Sequence, residues 1–193
     1  MAFTAQDVKK LREMTNVGMM DCKKALQATD GDMDKAVDWL REKGLAKAAK
    51  KADRVAAEGV AYATVVDGVG VIIEVNSETD FAAKTDAFLD LVKNLAVVVA
   101  KQNPADVEAL KACTYPGSEL TVTEIMQEKV MAIGENMQIR RFARFADNTS
   151  VAYVHAGGTH GVLVNLAVEG DIDATEIGKN DACLLYTSPS PRD

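Results

Sequence analysis

Aromatic residues are scarce in this sequence: one tryptophan, four tyrosines and five phenylalanines make up 5% of 193 residues. Alanine, valine and lysine are frequent instead, a balance that favours helices. Cysteine is rarer still. Cys22, Cys113 and Cys183 are odd in number and far apart, so they form neither a CxxC pair nor a zinc-ligand spacing, and reduced thiols are expected. No apolar run approaches the roughly 20 residues that cross a bilayer. The opening residues, Met1 to Asp7, lack the basic region and apolar run of a signal peptide. A cytoplasmic chain with no membrane association is therefore expected.

Other chemistry is missing too. No glycine-rich loop ends in Gly-Lys-Ser or Gly-Lys-Thr, and the glycines lack the strand–GxGxxG–helix setting, so nucleotide binding by this chain and a resident cofactor are not expected. Ser118 has no nearby histidine, and no carboxylate pair stands out as general acid and base, so no catalytic residue is assigned. His155 and His160 are the only histidines, and without a third ligand close by they are assigned no metal. Cys22 has Lys23 and Lys24 beside it at a helix start, which would lower its pKa; a buried structural thiol is the stronger reading.

What is present is globular. Hydrophobic residues make up 48% and charged residues 26%, with a net charge of −7. The charge is uneven: residues 1–54 carry +3 and the rest −10. An acidic body argues against a direct nucleic-acid partner, which needs clustered cations, and it suits a bipolar protein–protein contact.

Periodicity predicts three short helices first. Thr4 caps one with Val8, Leu11 and Met14 or Thr15 inward, and Asn16-Val17-Gly18 breaks it. Asp21 caps a second with Cys22, Ala25 and Leu26 inward. Asp32 caps a third carrying Met33, Ala36, Val37 and Leu40, closed by Lys43-Gly44. Residues 45–57 then read as a basic, helix-prone linker. Asp67-Gly68 between Val60–Val66 and Gly70–Val75 is a β-hairpin signal. Thr85 caps a long helix over residues 86–101 with Phe88, Val92, Leu95 and Val99 on one stripe. Short helices follow over 106–112 and from Thr121 to about Ile133. Strands are expected over 137–145, 151–155 and 161–168, forming a meander. The fold class is α+β. After Gly178 the run from Cys183 to Asp193, with two prolines, does not extend a helix. It reads as translated adapter or vector sequence, with a natural disordered tail as the alternative.

Two features draw attention. Met19 and Met20 stand beside a glycine turn, where exposed methionine suits a partner surface, although spacing alone favours both in the bundle core. Thr79-Asp80-Phe81 leaves a strand and precedes the long helix. Phe81 there is either a protruding contact or core, because it lies seven residues before Phe88 and a continuous helix would put both on one stripe.

Met19-Met20-Asp21-Cys22-Lys23-Lys24-Ala25-Leu26, Thr79-Asp80-Phe81-Ala82-Ala83-Lys84, Ile133 to Arg141, and Tyr153-Val154-His155-Ala156-Gly157-Gly158 occur in this order. Together they resemble bacterial translation elongation factor Ts over about residues 2–178. The resemblance implies a ubiquitin-associated-like three-helix head (1–44), a linker (45–57), a core N-subdomain (58–135) and part of a C-subdomain (136–178), with 179–193 as the foreign or disordered tail. It implies a guanine-nucleotide exchange factor that binds elongation factor Tu, GDP-bound and nucleotide-free, rather than an enzyme. Carried over, Arg12, Met19 and Met20 are head contacts. Thr79, Asp80 and Phe81 form the loop that intrudes near the partner's magnesium and phosphate site, with Asp80 unpaired and Phe81 accessible. Ile133 and His155 match further core contacts. Two departures stand out: the family continues beyond this chain with further helices and strands, and Ala82 stands where valine is common. A fragment that binds elongation factor Tu without efficient exchange is the alternative, and a homodimer is expected of the full-length form only.

Overall fold

Thr4 opens the first helix by reciprocal hydrogen bonds. Its hydroxyl accepts from the Asp7 amide at 3.3 Å, and the Asp7 carboxylate accepts from the Thr4 amide at 2.7 Å. The computed structural model describes residues 3–15, 17–170 and 172–187. They form two compact units. One holds the described residues up to Val55 with Thr123–Met137; the other holds Ala56–Val122 and the described residues from Gln138 onward.

The first unit is built from α1 (Ala5–Thr15), α2 (Met19–Ala28), α3 (Met33–Lys51) and most of α7 (Val122–Ile133). Val8, Leu11, Val17, Cys22, Ala25, Leu26, Ala36, Leu40 and Met131 make its core. Each such side chain removed from water contributes up to about 1.5–3 kcal/mol when large and apolar. Of the two residues expected to follow Leu11 inward, Thr15 is half-buried and Met14 is exposed. Two expectations need correction. Helix α2 starts at Met19, with Gly18 rather than Asp21 as its cap; Asp21 sits in the first turn, where its charge favours the helix N-terminus. Helix α3 does not close at Lys43-Gly44 but runs to Lys51. Gly44 is buried within the helix because α7 lies close. A Cβ there would stand 3.3 Å from the Met131 sulfur. Lys51 donates to the Gly134 carbonyl, and the Asn136 amide donates to the Ala52 and Arg54 carbonyls at 3.3 and 2.8 Å. Asn16 lies outside the described residues.

The second unit starts with the hairpin β1 (Glu58–Val66) and β2 (Val69–Ser77), antiparallel with Val66 opposite Val69. Asp67 and Gly68 both take positive φ, 51° and 81°, as a two-residue turn matched to strand twist requires. Val71, Ile73 and Val75 alternate into the core. Next come the one-turn α4 (Asp80–Ala83), the long α5 (Asp86–Gln102) and the short α6 (Val107–Ala112). Thr85 caps α5 as expected, and Asp106, expected within the short helix, is instead the cap of α6. Helix α5 packs on β1 and β2 and buries Phe88, Leu91, Val92, Leu95, Ala96, Val98, Val99 and Ala100.

The later strands are β3 (Met137–Phe145), β4 (Thr149–His155) and β5 (His160–Leu166). They do not form a meander. β3 lies beside β2 in a three-stranded sheet ordered β1-β2-β3, while β4 and β5 pair separately as an antiparallel hairpin. Across this pairing Arg140 and Arg141 of β3 both reach Glu74 of β2, at 3.7 and 2.6 Å. Helix α8 (Thr175–Thr187) packs on β4 and β5. It continues nine residues past Gly178, so the residues set apart there are helical as far as Thr187; the prolines come only afterwards. The proline–serine run Ser188–Asp193 lies outside the described residues. The observed class is α+β, with helices leading and antiparallel pairs in the second unit.

Gly178 tests this last docking. A Cβ there would lie 2.5 Å from a Val151 methyl and 2.8 Å from its Cβ. Glycine to alanine inside a helix normally stabilises by about 1 kcal/mol, but overpacking costs about 1–3 kcal/mol. Gly178→Ala is expected to lower the free energy of urea unfolding, by up to about 2 kcal/mol on balance. An increase would show that α8 does not lie flush on β4.

Candidate partner-binding surface

The corner between β2 and α5 is held by a chain of hydrogen bonds between near neighbours. Ser77 is buried at the end of β2, and its hydroxyl donates to the Thr79 carbonyl at 3.0 Å. The neighbouring Asn76 amide donates across the hairpin to the Glu58 carbonyl at 3.0 Å. Thr79 is extended and caps α4, its hydroxyl accepting from the Ala82 amide at 3.3 Å. Ala82 and Ala83 are buried, and α4 rests on β1 and β2. Lys84 is still right-handed, but Thr85 returns to the extended region and starts α5.

Phe81 projects from this corner and is 81% exposed, the highest value among the large hydrophobic side chains described. The reading that placed it on the Phe88 stripe fails because the helix is interrupted at Thr85. Asp80 differs from expectation in the other direction. It is not unpaired: its carboxylate accepts from the Lys84 ammonium at 2.7 Å. That hydrogen bond and the Lys84 charge hold its pKa below the ordinary aspartate value. The Asp80–Lys84 pair was visible in the sequence as an i,i+4 spacing on one helical turn.

In the first unit, Met19 and Met20 are 50% and 65% exposed, not core as their spacing suggested. They occupy the first turn of α2, Met20 on the side away from Cys22, Ala25 and Leu26 and Met19 at the open end of the helix. Arg12, in the last turn of α1, is exposed as well. Ile133 ends α7 and is half-buried. Cys22 is buried, and burial pushes its thiol pKa up, against the activated alternative.

In the second unit, His155 ends β4 and is half-buried. Its Nδ1 is 2.8 Å from the Tyr153 hydroxyl, a same-face neighbour two residues away. His160 is its cross-strand partner, with ring centroids 6.4 Å apart. Among the described residues, no group of three His, Cys, Asp or Glu side chains stands together. No helix among them is long and apolar enough to cross a membrane.

These features define an α+β protein that carries exposed apolar side chains on fixed corners, Phe81 foremost. The chain belongs to the elongation factor Ts family. The family model described as "Elongation factor TS" matches residues 78–184, which include the Phe81 corner, α5, the later strands and most of α8. The elongation factor Ts of Trichlorobacter lovleyi is 50% identical over 187 residues, covering 94% of this chain and 59% of that relative. The elongation factor Ts of Magnetococcus marinus is 48% identical over 182 residues, covering 93% and 60%. The chain thus spans about three fifths of the length of these curated relatives.

The Asp80–Lys84 pair carries a pH prediction. Because the folded-state pKa is depressed, the contribution of the pair is present above the unfolded pKa and is lost as pH falls through the folded one. Carboxyl NMR titration is expected to give Asp80 a midpoint below that of an ordinary aspartate, and Lys84→Ala should move it upward. An unmoved midpoint would show that the ion pair is not formed in solution.

Proposed function

We propose that this chain is a guanine-nucleotide exchange factor of translation elongation: it binds elongation factor Tu in the cytoplasm and promotes GDP release. The single observation that carries the reading is Phe81, a phenyl ring left in water on a corner whose backbone is held on both sides. Family membership supplies the partner.

Bound GDP is held through its phosphates and Mg²⁺, by backbone amides, a lysine and metal ligands. A phenyl ring wedged into the elements that support those groups displaces them, and the Asp80 carboxylate beside it disfavours the metal-binding arrangement. Thr79 sets the loop. Asp80 must first leave Lys84, which is easy for an exposed pair. Arg12, Met19 and Met20 serve as head contacts on the same partner, in a ubiquitin-associated-like bundle, and Ile133 and His155 add core contacts. The two methionines suit this work, being flexible and apolar at an accessible helix start. No covalent step is required. A factor that binds the nucleotide-free partner more tightly than the loaded one weakens nucleotide binding by the same factor, because the coupling is reciprocal.

A second reading is favoured by the share of the relatives that the chain spans. In it, the chain holds elongation factor Tu but exchanges poorly because part of the partner surface lies in the remainder. Calorimetric binding without accelerated release would favour this second reading.

The test is release of fluorescent GDP from elongation factor Tu, comparing the parent with Phe81→Ala. The variant is expected to accelerate release at least tenfold less, equivalent to about 1.4 kcal/mol of lost coupling. Its own stability should change by no more than about 0.5 kcal/mol, because the ring is exposed. Equal rates would remove the wedge from the mechanism.

A further inference from the structure

Phe81 lies outside the core although its sequence position favours burial, and we infer that Thr85 is the positioning residue that keeps it there. The functional meaning of this inference rests on the exchange-factor reading; its structural part rests on hydrogen bonds alone. Seven residues on a continuous α-helix fall about 20° short of two full turns. A helix unbroken from Asp80 would therefore carry Phe81 over the stripe that Phe88 begins. Burying a phenyl ring is favourable, so local geometry has to prevent it.

The interruption is one residue wide. Lys84 keeps right-handed torsions, φ −93° and ψ −4°. Thr85 alone is extended, φ −73° and ψ 143°. Its φ is already near the helical value, so rotating ψ to about −42° would fuse α4 with α5. The Thr85 side chain opposes that rotation as the N-cap of α5. Its hydroxyl donates to the Ala82 carbonyl at 2.7 Å, closing α4, and accepts from the Phe88 amide at 3.4 Å, capping α5. The main chain follows: the Thr85 amide also meets the Ala82 carbonyl, and the Thr85 carbonyl receives the Phe88 and Leu89 amides. Buried Ala82 and Ala83 hold α4 on the sheet, so the corner has one defined direction and Phe81 takes the outward position.

The pattern across four substitutions tests this. Phe81→Trp in a Trp39→Phe background puts the protein's single tryptophan at the corner, and acrylamide quenching of the free protein reads its exposure. Thr85→Ser and Thr85→Asp keep an N-cap oxygen and should retain strong quenching. Thr85→Ala lacks it, and Thr85→Val lacks it while matching threonine in shape; both should show measurably weaker quenching. One missing cap is worth about a fivefold change in an equilibrium, so all four variants should fold. Equal quenching in all four overturns the inference. In the exchange assay, Thr85→Ala should slow stimulated GDP release about fivefold with Phe81 present and not further in the Phe81→Ala protein. Slowing in both backgrounds also overturns it. Should Phe81→Ala itself exchange as fast as the parent, the exchange reading falls, and the quenching series still decides whether Thr85 positions residue 81.

Discussion

The backbone turn at Thr85 is the constraint on which the rest of the second unit's surface depends. Upstream of it, α4 is a single turn whose small residues, Ala82 and Ala83, lie against the β1–β2 hairpin. Downstream, α5 buries eight side chains and packs on the same two strands. Both helices therefore face one sheet, but they meet it in different registers. Were they one helix, a phenyl ring worth about 1.5–3 kcal/mol when buried would join the core. Because they are two, that ring stays in water, and the hydrophobic effect becomes available to whatever covers it.

Most of this fold was legible wherever chemistry is local. The cap residues Thr4, Asp32 and Thr85 announced their helices because a side-chain oxygen satisfies a nearby amide. Asp67-Gly68 announced the hairpin because few residues tolerate two successive positive φ values. What the sequence hid was long-range. Gly44 looks like a helix end until Met131 arrives from 87 residues away. Strand β3 pairs with β2, about 60 residues earlier, rather than with its sequence neighbours β4 and β5. Helix α8 outran its expected end because Ala182 and Gly178 are buried against the β4–β5 hairpin, an interaction with no local signature.

The candidate site divides along the same line. Exposure of Met19 and Met20 follows from where α2 begins, and that start depends on a glycine cap with no side-chain oxygen to betray it. Phe81 was undecided on spacing because the stripe and the cap gave opposite answers. The cap prevails because Thr85 is held extended while its hydroxyl accepts from the Phe88 amide, which a helix running through it would not allow. The pairing of Asp80 with Lys84 was readable at four residues' spacing, yet it matters only once the turn is known to be helical.

This arrangement bears on how a wedge can act at all. In the exchange mechanism proposed above, a flexible loop ending in phenylalanine would lose conformational entropy on docking, and that loss would subtract from the coupling that expels nucleotide. A ring on a corner fixed by Ser77, Thr79 and Thr85 has lost most of that freedom during folding. The exposed Asp80–Lys84 pair adds a complementary property. It keeps the carboxylate charged and oriented in the free protein, but with both side chains at least half exposed it is weak enough to open when a stronger electrostatic environment approaches. Rigidity in the backbone and lability in the ion pair are therefore compatible: the ring's position is set before the encounter, and only the carboxylate's partner has to change.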